Sequence, residues 1–235
     1  MTNFADLATQ LASILRSHHI KIIDPINMNG STAEENVYHV MVTSINLKKD
    51  AAGSAQDVSI RGTYTSLASA KKASLSTLQN LGYEKDFFTT YDVRSEYSGD
   101  WPHGDGVQVY AAVPGSDILT VEIQTTPNKL DFTGDEKGKV AEQLWYVLQT
   151  IIHYNLDASG AKRDSVIEGM YEATEQAKQA ALTVLLDNDV SKEDFAEYDE
   201  FHGQNDWPYG ETVVVHAVGQ TGENFLVRVV QTDTK

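Results

Sequence analysis

The chain has 235 residues, 41% of them hydrophobic, with eleven Tyr, seven Phe and three Trp, which supplies a folded core and is not the composition of a disordered polypeptide. With no cysteine there is no disulfide framework, no thiolate nucleophile and no Cys-ligated zinc or iron–sulfur cluster. Eighteen basic against 34 acidic residues leave a net charge of −16, which opposes phosphate backbones and anionic lipid surfaces, so neither nucleic acid nor membrane is an expected partner.

In chain order, Phe4, Leu7, Leu11 and Ile14 or Leu15 recur at helical spacing, and residues 3–17 are predicted to form an N-terminal helix within a lead-in of residues 1–36. Two readings stand for its apolar stripe: packing on or bridging the domains downstream, or docking a partner. The opening segment has no basic start and no uninterrupted apolar stretch. No later segment reaches membrane-spanning length, and a cytoplasmic location is the expectation.

From residue 37 onward the chain matches itself at a shift of about 107 residues. Tyr38-His39-Val40-Met41 falls on Trp145-Tyr146-Val147-Leu148, and Asp50-Ala51-Ala52-Gly53 on Asp157-Ala158-Ser159-Gly160. Ile60-Arg61-Gly62-Thr63-Tyr64 falls on Ile167-Glu168-Gly169-Met170-Tyr171. After a slip of one residue, Asp100-Trp101-Pro102-His103-Gly104 meets Asp206-Trp207-Pro208-Tyr209-Gly210. The chain is a tandem duplication: a first repeat domain at 37–128, a linker at 129–143 and a second repeat domain at 144–235.

Each copy shows the same succession of signals. Residues 145–154 and 164–171 read as strands around an Asp-Ala-Ser-Gly turn. Ala177, Ala180, Ala181, Val184 and Leu185 then share a helix face, predicted to end near Asp187-Asn188. In the first copy Ser66 or Ser69 caps the equivalent helix and Gly82 ends it. Residues 87–93 resemble a strand, whereas Ser191 to Phe195 carries a helix cap; a strand is the choice for both copies. Val107, Val109 and Ala111, then Leu119, Val121 and Ile123, alternate as a closing hairpin, as do Val213, Val215, Ala217 and Phe225, Val227, Val229. The fold class is α+β, a ββαβββ two-layer domain occurring twice, with one helix across an antiparallel sheet.

A catalytic group retained by both copies is sought first among histidines, the commonest general bases. His39 is matched by Tyr146, His103 by Tyr209 and His153 by Asn46, so none is duplicated. His216 lies on a strand among valines, where a packed or surface role is the simpler reading. Metal-ligand spacings, phosphate-cradling glycine loops and a Gly-x-Ser-x-Gly turn are missing from the sequence. No catalytic residue, metal ligand or cofactor is assigned, and enzymatic activity is the less favoured expectation.

The shared Asp-Trp-Pro-x-Gly turn has two readings. Pro and Gly shape a turn whose indole closes an end of the core, or Trp101 and Trp207, beside Asp100 and Asp206, anchor a ligand or peptide. The acidity lies mostly in residues 144–235, with 16 acidic and six basic residues, including Glu193, Glu197 and Glu200. The favoured expectation is a non-catalytic protein-binding or scaffolding protein that meets a partner's basic surface through these residues. The alternative is an enzyme or small-molecule binder with one site in the cleft between the repeats.

Overall fold

The computed structural model describes residues 35–232. The predicted helix at 3–17 lies outside them. Asn36–Asn46 (β1) and Gln56–Tyr64 (β2) form an antiparallel hairpin, followed by the helix Leu67–Asn80 (α1) and strands Thr90–Val93 (β3), Val107–Ala112 (β4) and Asp117–Pro127 (β5). The second copy repeats the order with Trp145–His153 (β6), Arg163–Tyr171 (β7), Thr174–Ala181 (α2), Glu197–Glu200 (β8), Val213–Val218 (β9) and Glu223–Gln231 (β10). The sheets have the orders β2-β1-β5-β4-β3 and β7-β6-β10-β9-β8, with every neighbouring pair antiparallel. The duplication and the ββαβββ content are therefore present in the backbone.

Local sequence explains the elements. Ser66 accepts a hydrogen bond from the Ser69 N–H at the start of α1, and Gly82 at φ 88° follows its end. The regular part of α2 stops at Ala181, earlier than the apolar spacing suggests. Thr183 and Val184 are β-branched there, and Asp187 turns the chain by accepting from the backbone of Asp189 and Val190. Both signals read before the second Trp-Pro turn are real. Ser191 and Asp194 form a capping box on one 3-10 turn, Lys192–Asp194, and β8 follows. The repeated glycine after β2's bulge serves close approach: a Cβ at Gly169 would lie 2.8 Å from the Tyr171 hydroxyl.

Each helix covers one face of its sheet. Ala70 and Leu78 meet Val40, Val42, Val109, Ala111, Leu119 and Val121 in the first copy. Ala177 and Ala181 meet Val147, Val215, Val227 and Val229 in the second. The helix-free faces meet each other across a third core, so the duplicated two-layer unit builds four layers, helix, sheet, sheet, helix. Equivalent positions occupy this shared core together: Val37 and Leu144, Met41 and Leu148, Ile60 and Ile167. His39 and its counterpart Tyr146 touch edge to face at 5.6 Å, which places a local pseudo-two-fold axis between them. Phe132 and Val140, from the stretch read as a linker, are buried in the same core.

Several polar groups inside the shared layer pair with one another. His39 bonds Thr63 at 2.8 Å and Thr126 at 2.7 Å through its two ring nitrogens, and Thr63 bonds the Tyr146 hydroxyl at 2.7 Å. Burial holds His39 neutral, with its pKa pulled down to about 3. Gln124 of β5 crosses to the outer edge of β7, donating to the Ser165 carbonyl at 2.6 Å and accepting from the Ile167 N–H at 2.9 Å. Two backbone groups of an edge strand are thereby satisfied by a side chain of the other copy. The Gln124 counterpart is Val230, so this clasp is not repeated.

Candidate functional site

The Trp-Pro turn lies on the helix-free side of β3–β4 and of β8–β9. In the first copy the His103 ring lies flat on Tyr110 of β4, centroids 3.9 Å apart and planes 6° from parallel. His103 Nε2 reaches the Asp92 carboxylate of β3 at 2.8 Å. Trp101 stands edge-on to His103 at 4.7 Å and donates its indole N–H to the Gly104 carbonyl at 3.0 Å. Arg94, just after β3, bonds the Asp105 carbonyl and fastens the turn from the other side.

The second copy holds the same four residue types with two of them exchanged. Tyr209 lies flat on His216 of β9, centroids 3.9 Å apart and planes 14° from parallel. The Tyr209 hydroxyl donates to Asp199 of β8 at 2.9 Å, and His216 Nδ1 lies 3.3 Å from the same oxygen. Trp207 stands edge-on to Tyr209 at 4.8 Å. Its indole N–H is buried and has no partner among the described residues, unlike that of Trp101. Thus positions 103 and 209 carry His and Tyr, while 110 and 216 carry Tyr and His. Comparing histidines one position at a time conceals this exchange. Comparing residues 92, 101, 103 and 110 as a set with 199, 207, 209 and 216 would have revealed it.

Both indoles are half-buried and Asp100 and Asp206 are exposed, one Trp and one Asp at each corner. The acidic residues singled out in the second copy divide by strand alternation. Glu197 and Asp199 point to the side of the aromatic stack, while Glu200 shares the helix side with Tyr198 and pairs with Lys192 Nζ at 2.7 Å. Burial and the Glu200 charge push the Tyr198 phenol up to about 12. Glu193 is exposed on the 3-10 turn before β8.

Glu197, Asp199 and His216 bring one potential ligand atom each within 4.8 Å of the others, a set able to coordinate a divalent cation. The corresponding residues of the first copy are Thr90, Asp92 and Tyr110, which offer only one strong ligand. Burial, the Asp199 hydrogen bond and the nearby Asp199 and Glu197 charges raise the pKa of Tyr209. The phenol therefore stays protonated at neutral pH and acts as a donor to Asp199.

A cavity of about 360 Å³ opens beside the inter-sheet network, with Thr63, Lys139, Tyr146 and Thr232 among its walls. Among the described residues no helix is long and apolar enough to cross a membrane. No family model matches the chain, and neither a curated protein nor a solved structure matches it.

Proposed function

We propose that the chain is a non-catalytic binding protein and that the second-copy corner receives a basic segment of a protein partner. The observation that supports this is the position of Glu197 and Asp199 on β8, the outermost strand of its sheet, beside the Trp207–Tyr209–His216 stack. Among the described residues β8 bonds only β9, which leaves its other edge open, and it is four residues long. Carboxylates on a short open edge repel another edge of the same kind. They attract a chain rich in lysine or arginine, which could pair with the edge and set an aliphatic stem against the aromatic rings. Glu193 and Asp206, both exposed, extend the negative field on either side of β8 in sequence.

The first-copy corner has Thr90 where Glu197 stands and is proposed to be the weaker site. A cytoplasmic location remains part of the proposal. The test is titration of the full chain with a lysine-rich decapeptide and with its glutamate-rich reversal, followed by fluorescence of the Trp207 corner. The lysine peptide should bind with an affinity that falls as salt rises. Replacing Glu193 and Glu197 by Lys should weaken it by about tenfold or more. Equal binding to the charge-reversed variant would overturn the proposal.

A further inference from the structure

A second cavity, of about 170 Å³, lies at one rim of the shared layer, and it is positive in a chain of net charge −16. Arg163 and Arg228, two of the five arginines in the chain, line it together with Thr150, Ser165, Thr212 and Tyr209. Gln56 and Val58 of the first copy close it from the opposite sheet. Neither guanidinium has a carboxylate within 4 Å among the described residues.

The donors are poorly used by the protein itself. Arg163 Nε donates to the Gly160 carbonyl at 2.7 Å, which fixes the side chain and leaves its two terminal nitrogens. Among the described residues Arg228 Nε is buried without a partner, and Nη2 reaches only the Thr150 hydroxyl at 3.5 Å. Thr150 and Ser165 share one hydroxyl proton across 2.9 Å, so the other proton of the pair is free. Burial of Arg228 and the proximity of Arg163 both disfavour its charge, while exposed Asp57 favours it from beyond salt-bridge range. A small anion seated between the two guanidinia would relieve this repulsion and satisfy the orphaned Nε.

Across the pseudo-two-fold axis the place of Arg228 is taken by Glu122. Burial, opposed by its bond from Gln124, raises that carboxyl, and Asp164 adds to the rise. The mirror position holds a carboxyl in place of a guanidinium and does not suit an anion.

We infer that the Arg163–Arg228 cavity is a single binding site for a tetrahedral oxyanion, either free phosphate or the phosphoryl group of a small phosphomonoester. Its volume is below the usual range for organic ligand pockets and suits a group of this size. The cavity shares Tyr209 with the aromatic corner, but Glu193, Glu197 and Glu200 do not line it.

The experiment is calorimetric titration of the full chain at low ionic strength with inorganic phosphate, with glycerol phosphate in a parallel arm and acetate as a planar control. One oxyanion per chain is expected, with acetate weaker. Tighter binding of the ester assigns the site to a phosphoryl group, and tighter binding of phosphate assigns it to the free ion. Arg228→Met should weaken binding by about tenfold or more. Glu122→Gln, at the mirror position, should leave binding unchanged. Because a change at Arg228 risks the fold, Arg163→Gln at the half-exposed rim supplies a second variant, checked by near-ultraviolet circular dichroism, and should also weaken binding. Absence of saturable binding, two ions per chain, or folded Arg163→Gln binding as tightly as the wild type would each overturn the inference.

Discussion

The two Trp-Pro corners hold one Asp, one Trp, one His and one Tyr each, yet differ in which ring is stacked on which. In the first copy the ring from the turn is His103 and it alone bonds Asp92. In the second the ring from the turn is Tyr209, and Asp199 receives both the phenol and the imidazole. What has been retained between the copies is a stacked pair closed by an indole and tied to a carboxylate. The site of the imidazole has not been retained. The corner is a packing unit first, and the second copy has added Glu197 and an unpaired Trp207 N–H to it.

The copies share one core, and the harshest way to break that relation is through it. Leu148→Ala should cost about 2–5 kcal/mol and lower amide protection in β1 and β2 as well as in β6. Loss of protection confined to the second copy would show that the halves open separately.

His39 tests the same layer by pH. Its folded pKa lies below its ordinary 6.5, so the unfolded chain binds the extra proton between about 6.5 and 3. Its contribution is intact above pH 6.5 and declines as the pH falls through that window, at about 1.4 kcal/mol per pH unit. Urea unfolding of the wild type and of His39→Gln should therefore diverge in slope from pH 6.5 down to 4. Parallel pH profiles would contradict the buried, neutral imidazole.

A smaller effect is expected from Gln124→Leu, which leaves the Ser165 carbonyl and Ile167 N–H without their partner, at about 1–3 kcal/mol. Hydrogen exchange at Ile167 is the direct readout, and an unchanged rate there would mean that the clasp does not hold the two copies together.

The smallest effect sharpens the corners themselves. Tyr209→His or His216→Tyr alone should cost about 0.5–1.5 kcal/mol, and the two together should recover most of the loss by recreating the first-copy stack. Additive losses in the double variant would mean that the exchange is incidental.

The succession of elements was legible because strand alternation and turn residues recur 107 residues apart, and each copy corrects the other. The four layers were not read, although β1 contains a hint. Val37, Tyr38, Val40, Met41 and Val42 run with little polar interruption, as strands covered on both faces do. The segment 129–143 is rich in charge and glycine, and that average hides Phe132 and Val140, which are core residues. Residues of the two corners were visible singly. Their exchange needed the register of β3 with β4 and of β8 with β9, which sets Asp92 opposite Tyr110 and Asp199 opposite His216. Arg228 carried no motif at all, because its neighbours in the cavity come from four separate stretches of chain.

The pairing of Val37 with Leu144, Met41 with Leu148 and Ile60 with Ile167 has the form of a contact between two identical subunits. In a true homodimer any substitution at such a surface is made twice, and an arginine at the rim would be answered by a second arginine. Joining the subunits into one polypeptide lifts that obligation. Glu122 and Arg228 show that freedom: the interface has a left side and a right side, each open to its own chemistry.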